Sequence, residues 1–295
     1  MVERKGSFQF FANVFMVLLT LMCIFPFVLL IMASLTEERS LIQNGYSIFP
    51  KQFGLDSYIY MFRSGKTIAT AYGITTLVTV TGTTASLTMT ALMSYPLSRR
   101  EFYGRNVLAF IVFFTMLFNG GLVPTYIMYT RYLGFRNTLW ALLVPSLLLN
   151  GFYVIMMRTY FTTNIPDAVI EAARIDGAGE WRTLIQIVLP MSVPMVATMA
   201  LLIGLSYWND WRNGFYYLTK SELFSIQNIL NRMLQDVQFL KSGAGGANAS
   251  EIAATLPSTG IKMAIAVVGA LPVLIVYPFF QRYFVKGITI GAVKG

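Results

Sequence analysis

The chain has 295 residues, of which 56% are hydrophobic and only 12% charged, and its mean hydropathy of +0.61 excludes an ordinary soluble globular protein. It contains no histidine, which removes histidine triads, histidine bases and histidine-ligated metal sites together and argues against an enzyme. The net charge of +9 comes from 22 Lys and Arg scattered singly or in pairs, a pattern that excludes a nucleic-acid stripe and suits anionic lipid beside membrane spans.

The first apolar segment covers about residues 10–35, follows Glu3, Arg4 and Lys5, and holds the only cysteine, Cys23. It is longer than the core of a signal peptide and no small-residue cleavage pattern follows, so an uncleaved span is expected. Further spans are expected near residues 69–97, 107–130, 138–160, 184–208 and 263–284. The chain is thus predicted to be an all-α integral membrane protein with six transmembrane helices in a single domain, residues 1–295.

Pro124, Pro145, Pro190, Pro194, Gly120 and Gly121 fall within or at the ends of these runs. They are read as kinks and points of close packing in continuous helices rather than as ion-coordinating broken helices. Orientation rests on a narrow margin, because placing both termini in the cytoplasm puts 11 Lys and Arg on each side. The inside segments are shorter and their positive density higher, and residues 98–105 alone hold Arg99, Arg100 and Arg105, so both termini are expected to be cytoplasmic.

Residues 164–190 form an unusually polar stretch between the fourth and fifth spans. Pro166 and Asp167 suit the first turn of a helix, because proline lacks only an N–H that would be unbonded there and the carboxylate meets the positive end of the helix dipole. A short helix over about 166–176 should end at Gly177 in a left-handed turn, and a second helical piece should start near Glu180 and enter the membrane toward Pro190. Glu171, Ala172 and Ala173 would then form a peg: small side chains that admit another protein's walls beside one carboxylate for a basic partner. A solvated interfacial helix without a special role is the plain alternative.

At the end of the fifth span Tyr207, Trp208, Asn209, Asp210, Trp211 and Asn213 combine aromatic rings with hydrogen-bonding groups, a mixture that suits sugars. An aromatic belt at the membrane boundary accounts for the same rings equally well. Asn150 and Tyr153 in the fourth span are further candidates for a substrate path. Residues 37–66 and 216–260 are candidate docking surface for an external protein; the latter holds a helix near 223–240 and a Gly-rich run from Lys241 that reads equally well as a plain flexible linker.

The spaced set Glu171, Ala172, Ala173, Asp176, Gly177 and Ala178, followed by Ile187, Leu189 and Pro190, resembles the EAA loop of ATP-binding-cassette importer permeases. The similarity runs over essentially the whole chain and narrows to the carbohydrate-importer, MalG-like branch serving oligosaccharide or polysaccharide-fragment uptake, whose terminal signature residues 277–295 also resemble. The resemblance implies a cytoplasmic EAA coupling helix between spans four and five, with Glu171, Ala172, Ala173, Asp176 and Gly177 docking in a cleft of an ATPase subunit and Lys294 in a tail that also reaches the ATPase pair. It implies as partners a second permease subunit, two ATP-binding-cassette ATPase subunits, an extracytoplasmic solute-binding protein and an oligosaccharide, in a bacterial cytoplasmic (inner) membrane. No cofactor is expected in this chain; ATP and Mg would be bound by the partner ATPase. In keeping with that, Gly65-Lys66-Thr67 matches only the end of a phosphate-binding loop, because Tyr60 stands where the first glycine belongs. The readings from other classes are an ion-gradient-coupled secondary transporter, disfavoured by spans nearly free of charge, and a membrane-embedded hydrolase, which the missing histidines leave little to build.

Overall fold

A computed structural model describes residues 6–62, 65–241 and 258–292. Among these the chain is helical, with one isolated bridge between Thr36 and Phe53. A helix bonds its own N–H and C=O groups, the condition an apolar chain must meet to enter lipid. The residues divide into two compact units: Met1–Ile68 with Leu230–Pro272, and Ala69–Ile229 with Val273–Gly295.

The first unit contains α1 (Gly6–Ser34), α2 (Glu38–Asn44) and α3 (Asp56–Phe62). Most α1 side chains are exposed, as they must be on a helix that meets lipid or another subunit. The last long helix, α15 (Ser258–Ala292), begins here, and the Glu38 carboxylate accepts from the N–H groups of Thr259 at 2.9 Å and Gly260 at 2.8 Å. Those amides have no partner within their own helix, so the carboxylate both caps them and meets the positive end of the dipole. The helix expected near 223–240 is α14 (Ile226–Lys241). The Gly-rich run, residues 242–257, and Lys294 lie outside the described residues.

The second unit is built on α4 (Gly65–Ser98), α5 (Arg105–Leu117) and α8 (Gly151–Asn164), which meet at the buried Leu97, Val112 and Val154. The hydroxyl groups of α4 are used in two ways. Thr81, Thr84 and Thr88 donate back to the carbonyls four residues earlier, whereas Ser94 donates at 3.0 Å to the Val154 carbonyl of α8 and so ties the two helices.

Among the described residues, two single helices are long and apolar enough to cross a membrane, Phe8–Ser34 and Thr259–Phe279, and two bent pairs qualify if each counts as one span. The expectation of continuous, merely kinked helices is corrected at three places. Between α5 and α6 (Leu122–Ile127, continued by a π-helical turn Met128–Tyr132) the chain bends by 113°. Gly121 there has φ +85°, open only to glycine without strain, and its N–H is held at 2.8 Å by the Asn119 side chain. In the fourth run a turn separates α7 (Trp140–Leu143) from α8, with Ser146 at φ +62° after Pro145. In the fifth, α10 (Glu180–Thr183), a π-helical turn (Leu184–Val188) and α11 (Leu189–Met191) meet α12 (Val193–Trp208) in a pair bent by 84°. The break falls at Ser192, between Pro190 and Pro194, which lack the N–H groups a continuous helix needs.

Candidate functional site

Breaking the fourth run frees carbonyl groups that lipid would not satisfy, and side chains from neighbouring helices take them. Ser86 of α4 donates to Leu147 O at 3.2 Å, Tyr207 of α12 to Leu143 O at 2.8 Å, and Asn213 of α13 (Arg212–Tyr217) to Pro145 O at 3.0 Å. The turn is thereby pinned from three directions. Gly82 of α4 lets Tyr207 lie there: a Cβ at Gly82 would stand 2.5 Å from the tyrosine ring.

Beside this turn is a cavity of about 690 Å³, lined from the α5–α6 break, the pinned turn and the end of α12. Asn209, Asp210 and Trp211 line it together with Asn213, Ser206 and Arg212. Tyr217 also lines it, its ring stacked on Tyr126 with centroids 5.7 Å apart. The Asp210 backbone carbonyl accepts from Ser225 at 3.3 Å, which fixes the corner between α12 and α13. Amides, hydroxyls, one carboxylate, one guanidinium and several rings thus share one wall, the donor and acceptor set that recognises a hydroxyl-rich molecule with apolar faces.

The other candidates for the substrate path are placed differently. Trp208 is half-buried with its ring beside Tyr72, centroids 6.3 Å apart. Tyr153 meets Ser206 at 3.2 Å, one side chain behind the cavity wall. Asn150 caps α8, accepting from the Phe152 N–H at 2.9 Å. Sequence reasoning overlooked Asn119, Ser206 and Arg212. The turn-forming triplet Asn119-Gly120-Gly121 inside an apolar run is the signal that would have found the first.

The polar stretch between α8 and α12 holds α9 (Asp167–Ile175), with Pro166 at its N-cap and Gly177 at φ +77° just beyond its end. One face of α9 is exposed, presenting Ala168, Glu171, Ala172 and Ile175, and Asp176 and Gly177 continue that exposed edge. Ile170 and Ala173 are buried on the opposite face. The residue overlooked here is Ile175, an isoleucine 86% exposed on the same face as Glu171. The spacing 168, 171, 172, 175 is that of one helical stripe.

Arg174 leaves α9 sideways and pairs with Glu101, in the loop after α4, and with Glu180 of α10 at 3.1 Å. The other Glu180 oxygen accepts from the Tyr95 hydroxyl of α4 at 2.5 Å. The two carboxylates raise the pKa of Arg174 further, so its charge persists at every physiological pH. The clasp joins α9 to α4 and to the start of the fifth run.

Comparison with known proteins identifies what such an assembly belongs to. The chain is 38% identical to the polygalacturonan/rhamnogalacturonan transport system permease protein YtcP of Bacillus subtilis, covering 95% of this chain and 96% of that protein. It is 39% identical to protein LplC of the same organism, over 92% of this chain and 90% of the relative. Among solved structures, a bacterial ABC transporter involved in the import of the acidic polysaccharide alginate superposes with a TM-score of 0.78 at 28% identity, covering 96% of this chain and 99% of the matched one. These similarities support an ATP-binding-cassette importer permease and lend nothing to the ion-gradient reading. Matched over residues 5–290, the chain belongs to the family of binding-protein-dependent transport system inner membrane components.

Proposed function

We propose that this permease carries oligosaccharides released from acidic polysaccharides, working with a second permease subunit, two ATPase subunits that bind ATP and Mg, and an extracytoplasmic solute-binding protein. It crosses the inner membrane six times with both termini in the cytoplasm, the α5–α6 and α10–α12 pairs and the α7–α8 pair each counting as one span. It has no catalytic role of its own. The observation that carries the reading is the polar and aromatic cavity at the helix breaks, where Asn209, Asp210 and Trp211 stand with Arg212. The relatives' names for polygalacturonan, rhamnogalacturonan and alginate support an acidic sugar, and Arg212 supplies a planar cation that matches a carboxylate.

In this reading α9 is the coupling helix. Its exposed face, Glu171 with Ala172 and Ile175, seats in the ATPase subunit, and closure of the ATPase pair moves α9 and with it the spans. The test is ATP hydrolysis and uptake by the complete complex in proteoliposomes with its binding protein and defined oligosaccharides. Oligogalacturonate or oligoalginate should stimulate both, and a neutral oligosaccharide of equal length should not; equal stimulation by the neutral sugar would refute the acidic class. Glu171→Lys should abolish stimulated hydrolysis and uptake while the second permease subunit stays bound. Wild-type stimulation in that variant would refute the coupling role.

A further inference from the structure

Arg99 follows the last residue of α4. It is only 9% exposed, and its guanidinium carbon lies 5.0 Å from the centre of the Tyr95 ring. Its Nε and Nη2 are buried and meet no acceptor among the described residues. Of the carboxylates around it, Glu180 is taken by Tyr95 and Arg174 and Glu101 by Arg174, while Asp167 and Glu171 line a second cavity that Arg99 also borders without bonding its Nε or Nη2. A guanidinium stays protonated inside a protein, so a buried one without an acceptor is costly. Its charge calls for an anion from outside the chain.

The surroundings select the kind of anion. Arg99 lines a cleft of about 390 Å³ whose other walls are largely apolar, built from Leu92, Pro96, Phe102, Trp181 and Leu184. Trp181 is 67% exposed and Phe102 40%, so two rings stand open at the mouth of the cleft, and tryptophan is enriched where proteins meet lipid headgroups. A free inorganic anion, or a carboxylate from a partner protein, would answer the guanidinium and leave this wall without a use. Glu101 and Glu180 line the same cleft and would repel a multiply charged headgroup, so one of single charge fits better.

We propose that this cleft binds an anionic phospholipid, with Arg99 donating to its phosphate and an acyl chain lying along Leu92, Pro96 and Phe102. The proposal requires only that the chain lie in a membrane, and is independent of the sugar class. Because Arg174 and Glu180 line the same cleft, the bound lipid would steady the clasp that holds α9, making coupling sensitive to the charge of the bilayer.

The experiment is native mass spectrometry of the complete importer complex titrated with phosphatidylglycerol, with phosphatidylcholine as the zwitterionic control. Wild type should retain phosphatidylglycerol preferentially, Arg99→Gln should weaken retention about tenfold, the size expected for one charged hydrogen bond, and Arg99→Lys should fall between them. Phe102→Ser, which leaves the charge in place, should also weaken retention. Equal retention by Arg99→Gln and wild type overturns the proposal. So does competition by inorganic phosphate at the same concentration as the lipid, which would mark a free-anion site, or a loss of ATPase subunits from Arg99→Gln with lipid retention unchanged, which would mark a partner's carboxylate. If Arg99→Gln does not assemble, Phe102→Ser decides alone: weakened retention in an intact complex supports the lipid, and unchanged retention rejects it.

Discussion

Tyr207 shows how closely single residues are fitted where the helices break. Its hydroxyl satisfies the Leu143 carbonyl at 2.8 Å and its ring occupies the space that Gly82 leaves open. Tyr207→Phe should strand that carbonyl and cost about 1–3 kcal/mol. Gly82→Ala places a methyl against the ring and should cost a similar ~1–3 kcal/mol through displaced packing. Both are read as a lowered unfolding temperature of the purified complex, and unaltered melting of Gly82→Ala would mean that the ring moves aside freely. Gly177 is a different case. No atom lies within 4 Å of the Cβ it lacks, so its φ of +77° is the whole constraint. Gly177→Asn should therefore be tolerated and Gly177→Val should destabilise the α9–α10 joint, visible as faster proteolysis between residues 175 and 180. Equal cleavage of the two variants would count against a backbone origin.

Among the elements, α9 depends on Arg174 for its attachment to α10 and to the loop after α4. The side chains of Arg174, Glu101 and Glu180 are 34%, 66% and 58% exposed, so each pair is screened by solvent and worth no more than about 1 kcal/mol. Arg174→Gln should thus leave the complex folded while reducing sugar transported per ATP hydrolysed, and the wild-type ratio should itself decline as salt is raised. A ratio unmoved by both changes would remove the clasp from the transmission path. The helix–turn–helix character of residues 164–190 was legible because Pro166, Asp167 and Gly177 act locally. The inward turn of Ala173 was not, because three adjacent small or acidic residues carry no sign of which face is buried; the stripe through Ile175 shows it only when the whole helix is considered. Likewise the apolar runs announced where helices lie, but length and hydropathy do not distinguish a kink from a bend of 113°. That distinction rests on partners distant in sequence, such as Asn213 on Pro145 O.

For the whole molecule, the polar wall and the exposed face of α9 lie at opposite ends of a connected path: pinned turn, α8, α9. Of the eight residues read from the sequence as candidates for a sugar path, four (Asn209, Asp210, Trp211 and Asn213) line the cavity, since Asn150 is used as a cap, Trp208 packs on Tyr72, Tyr153 stands behind Ser206 and Tyr207 holds the Leu143 carbonyl. Asp210→Asn should accordingly change the apparent KM for the sugar several-fold while Asn150→Asp, which keeps the cap, leaves it unchanged. Transport kinetics at saturating binding protein check this, and the reverse pattern would move the path toward the fourth run.

The pinned turn makes α8 a lever with its fulcrum at one end. Fourteen residues at the rise of an α-helix give an arm of roughly 20 Å between the turn and the start of α9. Under the proposed coupling role, a stroke delivered to α9 would be divided along that arm, greatest at α9 and smallest where Ser86, Tyr207 and Asn213 grip the backbone. On that proposal force would enter through one end and chemical selection would be made at the other, so the two could be altered by substitution almost independently of each other.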